Sequence, residues 1–130
     1  MKIYDTENNL LSIVIKKDDI SSGKNFLTEH TNDFQLASFS LNEGEVIEKH
    51  YHPPQSRNIQ NTSEVLVLIK GEMTVEIFDN NQKFIQDINL TSGDTIGFFE
   101  GGHGIKLNKE CQFIEVKQGP FNENSDKIRF

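Results

Sequence analysis

Residues Met73-Thr74-Val75-Glu76-Ile77-Phe78 alternate apolar and polar side chains almost without a break, between Gly71 and the turn-forming run Asp79-Asn80-Asn81-Gln82. A period of two puts every second side chain on one face of an extended chain, so the stretch predicts a half-buried strand leading into a hairpin turn. The same grammar recurs along the sequence. Met1 to Tyr4, Leu10 to Ile15, Phe34 to Leu41, Val46 to His52, Glu64 to Lys70, Phe84 to Leu90, Thr95 to Phe99, Ile105 to Leu107 and Gln112 to Lys117 are short β-prone runs separated by polar or glycine-containing turns. Lys16 to Lys24 reads as a loop with one helical turn after Asp18 or Asp19, and no long amphipathic helix is encoded. Strands at this spacing predict an all-β antiparallel sandwich or barrel.

The chain has 130 residues, enough for one core, and carries neither an internal repeat nor a linker, so residues 1–130 read as a single domain. Twenty acidic against 13 basic residues give a formal charge of -7. The only arginines are Arg57 and Arg129. Such a balance argues against nucleic acid or an anionic membrane as partner, since both attract clustered Lys and Arg. No apolar run has the length of a membrane span, and the first ten residues are too polar for a signal peptide. The single cysteine, Cys111, has no partner for an internal disulfide, which fits a reducing, cytoplasmic setting.

The chemistry-bearing residues gather between Gly44 and Gly71. In an extended strand His50 and His52 share one face, with Tyr51 on the other, and form a two-donor platform for a metal. Glu48 falls on the same face, as a hydrogen-bond acceptor or acid/base beside them. Glu64 opens the run Glu64-Val65-Leu66-Val67-Leu68-Ile69-Lys70, and Leu66 and Leu68 on its face point inward. A carboxylate there is costly to bury unless something positive meets it. The loop Pro53 to Ser63 holds Arg57, suited to clamping a substrate carboxylate or phosphate. Each residue also has a plainer reading: a strand histidine is commonly a satisfied or solvated side chain, Glu64 a solvated strand end, and Arg57 an exposed loop charge. His30, in a polar stretch, reads as a surface residue. Cys111 reads as a small residue at the rim of the core.

The arrangement Gly44, five residues, His50-Tyr51-His52, eleven residues, Glu64, six residues, Gly71 resembles the first motif of the cupins, with the loop Pro53 to Ser63 as an insertion. Gly93-Asp94 followed by His103 is similar to the second motif, although Phe99 stands where that motif has proline and His103 comes one residue early. The resemblance covers residues 44–108, leaving N-terminal strands over 1–41 and a C-terminal tail over 118–130. It implies a cupin-type antiparallel β-barrel, a jelly roll, with one divalent transition metal held by His50, His52, Glu64 and His103. Three imidazoles and a carboxylate suit Mn, Fe, Co, Ni, Cu or Zn and leave two octahedral positions open.

For such a barrel the resemblance implies an enzyme acting on a small polar metabolite, anionic or carbohydrate-like, by dioxygenase, isomerase or lyase chemistry, in a homodimer. Glu48 and Arg57 are then the candidate catalytic residues. Two other readings stay open. One is a metal-independent sugar-nucleotide isomerase or epimerase in which His50 and His52 serve as acid and base. The other is a non-catalytic module that holds a metal or a small ligand.

Overall fold

The computed structural model describes residues 1–130 and is all-β. Its strands are β1 (Lys2–Tyr4), β2 (Leu10–Ile15), β3 (Gly23–Phe26), β4 (Ala37–Ser40), β5 (Glu64–Lys70), β6 (Glu72–Phe78), β7 (Phe84–Thr91), β8 (Thr95–Phe98), β9 (Gly102–Leu107) and β10 (Gln112–Lys117). A single 3-10 turn, Lys17–Asp19, follows β2, just ahead of the helical turn expected after Asp18 or Asp19. No helix is long and apolar enough to cross a membrane.

Every ladder is antiparallel. A five-stranded sheet runs in the order β1-β2-β8-β5-β10, a three-stranded sheet in the order β7-β6-β9, and β3 pairs with β4 alone. The chain crosses between these two sheets from β5 to β6, from β7 to β8 and from β8 to β9 before returning with β10, while β6 and β7 form a hairpin within one sheet. The apolar faces of the two layers meet. Leu11, Val14, Leu66, Leu68, Ile96 and Phe98 from the larger sheet pack into one core with Met73, Val75, Ile77, Ile88 and Leu90 from the smaller. The alternation read in β6 is realised: Met73, Val75 and Ile77 are buried, while Thr74 and Glu76 lie on the other face.

Two turns show how sequence fixes the crossings. Gly71 alone links β5 to β6, with φ at +102°, and a Cβ on it would sit 2.3 Å from the Glu110 carbonyl oxygen. Only a residue without a side chain lets the chain turn that close to the β9–β10 connection. Between β7 and β8 the fully buried Asp94 carboxylate accepts hydrogen bonds from the Lys16 ammonium at 2.8 Å, the Thr91 amide at 2.9 Å and the Lys17 amide at 3.1 Å. Burial pushes this carboxyl up, but those donors outweigh it and hold the group below the usual aspartate value.

None of the three sheets closes on itself. The segment expected to be a strand over Val46–His52 is irregular instead, as is everything from residue 41 to 63, and nearly all of it is exposed. The reason is visible in its hydrogen bonding. It joins no ladder, and the edges of β9 and β10 remain unpaired, so nothing holds its backbone extended. The matching deficit appears on those edges. Ile105 and Leu107 of β9 stand opposite Val75 and Met73 and therefore face the core, yet both are exposed, and Phe113 of β10, opposite Leu68, is exposed too. The sandwich is open along its β9–β10 side.

Candidate functional site

Glu64 begins β5 and His103 is the second residue of β9, so they come from different sheets and from positions 39 residues apart. The two layers nonetheless bring His103 Nε2 to 3.3 Å from Glu64 Oε2. Both side chains are partly sheltered, at 29% and 15% exposure. The hydrogen bond from His103 is the main force holding the Glu64 carboxyl below the usual glutamate value. Desolvation opposes it, and the charges of His103, Lys117 and Lys127 add to it. The hydrogen-bonding partner of the partly buried acid at the head of β5 is therefore His103.

The imidazole is fixed from a second side. Its ring stacks on Phe98, with centroids 3.9 Å apart and planes 11° from parallel. Phe98 is the last residue of β8 and lies directly opposite Glu64 in the β5–β8 ladder, so one cross-strand pair supplies both the carboxylate and the ring beneath the histidine. His103 lies within β9, paired with Ile77, and not in a turn as the glycines around it suggest.

The pair lies on the wall of a cleft of about 630 Å³. Phe78, Phe98 and Phe99 supply apolar lining, and residues 126–130 form a strap along it. The strap is anchored at both ends. Lys117 Nζ bonds Asp126 Oδ2 at 2.6 Å, with both side chains largely buried, and that bond is the main cause of a raised Lys117 pKa. Phe130 packs edge-on against Phe78, ring centroids 5.2 Å apart, and its ring tip lies where a Cβ on Gly102 would be, 2.8 Å away. A side chain at 102 would have to displace the exposed Phe130 ring.

The other sequence candidates lie elsewhere. His50 and His52 are exposed in the irregular segment, their rings edge-to-face with centroids 5.3 Å apart, and His50 Nδ1 contacts the Glu48 carbonyl oxygen at 2.8 Å. Arg57 is exposed and donates to Gln55 Oε1 at 3.3 Å. None of His50, His52, Glu48 and Arg57 lines the cleft. No three His, Cys, Asp or Glu side chains lie close enough together to hold a metal ion. Of the four donors implied by the cupin resemblance, two converge and two stand apart, so the residues as placed do not make a four-ligand set. His30 is exposed, and the Cys111 thiol, half-buried, donates to the Glu72 and Lys109 carbonyl oxygens.

Sequence reasoning takes Phe98 for a core or pocket-lining ring and passes over its stacking on His103, the Lys117–Asp126 pair and the strap. The strap had a faint signature: in Lys127-Ile128-Arg129-Phe130 basic and apolar residues alternate, the pattern of a segment with one charged and one apolar side. No family model matches the chain, and no curated protein or solved structure matches it.

Proposed function

We propose that this is a cupin-type domain that binds a divalent transition metal and a small polar ligand, and that its metal site is completed when residues 45–52 pair along the free edge of β9. The observation that carries the reading is the 3.3 Å approach of His103 to Glu64, two residues singled out by the motif spacing and supplied by opposite sheets. The strand order adds support. From β5 to β10 the chain crosses repeatedly between two antiparallel sheets, with β6 and β7 as a hairpin in one of them, in the manner of a jelly roll that lacks one strand beside β9 and one beside β10. The exposed Val46, on the face shared with His50 and His52, and the core-facing but exposed Ile105 and Leu107 are apolar surfaces that such pairing buries together.

Pairing also accounts for the histidines. Directly opposed residues on neighbouring strands have Cβ atoms about 5 Å apart and point the same way. A register that sets His50 or His52 beside His103 places both on the face of β9 that looks toward Glu64, because residues two apart share a face. Bound there, the ion would supply Lewis acidity to a substrate oxygen. The chain's own part is to present the carboxylate, hold the His103 ring against Phe98 and keep the cleft apolar. Activity on a small metabolite, homodimerisation and a cytoplasmic location belong to the same proposal.

Elemental analysis of untagged protein tests it. One metal ion per chain is expected, with occupancy falling about 100-fold or to background in His103→Ala and in His50→Ala. Equal, negligible metal in wild type and both variants removes the metal reading. Activity that survives exhaustive chelation would favour the acid/base roles for His50 and His52.

A further inference from the structure

The cleft beside Glu64 and His103 has a charge pattern that the metal reading does not use. Five carboxylates line it, and each has a partner. Glu64 meets His103, Glu76 meets Lys106 at 2.6 Å and Asp126 meets Lys117 at 2.6 Å. Asp79 Oδ1 accepts the amides of Asn81 and Lys83, and Glu100 accepts the Asn80 side-chain amide at 3.0 Å. Two cations also line the cleft, Lys127 and Arg129, and neither takes part in any of the six ion pairs of the protein. Both belong to the strap, which is pinned by Asp126 before them and by Phe130 after them.

An ammonium and a guanidinium two residues apart on a pinned strap, beside a partly apolar cleft, form a positive patch outside every ion pair, with Lys127 acting on Glu64 only at longer range. Ordinary surface lysines and arginines pair readily with neighbouring acids, and this chain has an excess of acids to offer. Here Glu64, Glu76 and Asp126 have other partners, and Asp79 and Glu100 are oriented by amide donors. The aromatic rings of Phe78, Phe98, Phe99 and Phe130 line the same space, so a ligand with a flat or apolar body gains contact area while its charged end meets the strap.

We infer that the cleft binds a small organic anion, a carboxylate or phosphate ester with an apolar body, whose charged group is held by Lys127 and Arg129. The inference rests on the reading of the Glu64–His103 cleft as the ligand site and names the ligand class for it. It gives the anion-clamping role to Arg129 and Lys127, where the sequence alone points to Arg57. The guanidinium offers two parallel donors to a carboxylate and the ammonium adds a compact charge.

Benzoate and neutral benzamide, titrated calorimetrically into the chelator-treated full chain, test this. Saturable benzoate binding is expected, at least about tenfold tighter than benzamide. In the Lys127→Gln/Arg129→Gln double variant benzoate affinity falls about tenfold or more while benzamide is unchanged. Both residues are exposed, so the fold is not at risk, and Lys127→Arg retains binding. Arg57→Gln leaves benzoate affinity as in wild type. Absent benzoate binding, or equal affinity in wild type and double variant, overturns the inference. Because the titration uses metal-free protein and leaves the irregular segment intact, success here beside negligible metal in the elemental analysis isolates the failure to the metal reading.

Discussion

Leu107 stands directly opposite Met73 in the β6–β9 ladder, yet Met73 has no exposed surface and Leu107 keeps 58% of its own. Neighbours on the same face of a sheet share a layer, so the contrast locates the boundary where the core stops being covered. Met73→Ala is expected to cost about 2–5 kcal/mol by urea denaturation, the range for a sealed large side chain. Leu107→Ala discriminates the two states of the edge. If residues 45–52 cover β9 in solution the variant loses about 2 kcal/mol or more, whereas a bare edge leaves stability within about 0.5 kcal/mol of wild type.

Hydrogen exchange reads the same pairing without mutation. Backbone amides that enter a ladder become protected, and those of a solvated loop do not. Amides in Val46–Tyr51 are expected to exchange at least about 100-fold more slowly than those of Gln55–Gln60, and Val46→Asp, on the face shared with His50 and His52, should erase that difference while sparing β6. Uniformly fast exchange across 45–60 in the wild type would mean that His50 and His52 do not reach the site.

The parts of the fold that could be read from the sequence are those in which local pattern and tertiary burial agree. β6 shows this plainly: its alternation is strict, its neighbours flank it on both sides, and its buried set is the one the pattern names. Val46–His52 has a usable pattern as well, but a strand exists only when a second backbone pairs with it, and no sequence period reports whether an edge will be occupied. Glu64 was legible as an acid in need of a cation because an apolar run follows it. Its partner came from motif spacing and not from any local signal at His103, whose flanking glycines suggest a turn. The strap was hidden for a different reason. Its position depends on Asp126 finding Lys117 and on Phe130 finding the open space at Gly102, and both are contacts between segments with no shared periodicity.

Gly71 tests how tightly the two sheets are coupled. Alanine there must adopt a left-handed φ of +102° with its Cβ 2.3 Å from the Glu110 carbonyl oxygen and 2.7 Å from Cys111 Sγ. Backbone strain and the clash together are expected to cost about 2–4 kcal/mol, a fall of roughly 6 °C or more in the melting midpoint. Because the clash is with the β9–β10 connection, amides of β10 should lose protection before those of β6. A melting midpoint equal to wild type would show that this turn relaxes freely.

Asp94 makes a prediction about acid. Its carboxylate is sealed, at 1% exposure, and is held charged by Lys16 and by the Thr91 and Lys17 amides, against the cost of its burial. The folded pKa is therefore lowered relative to the unfolded chain, where aspartate titrates at about 3.9. A group with a depressed folded pKa contributes stability in full above the unfolded value and loses it as pH falls through the folded one, since the unfolded chain takes up the proton first. Asp94→Asn removes the charge while keeping the shape and places an amide against the Lys16 ammonium. At pH 7 the variant is expected to be about 2 kcal/mol less stable. The gap should narrow as pH falls below about 4. Urea midpoints for both proteins from pH 3 to 7 give the comparison. Two curves that stay parallel throughout would mean that the ring of donors around Asp94 does not favour its ionised form.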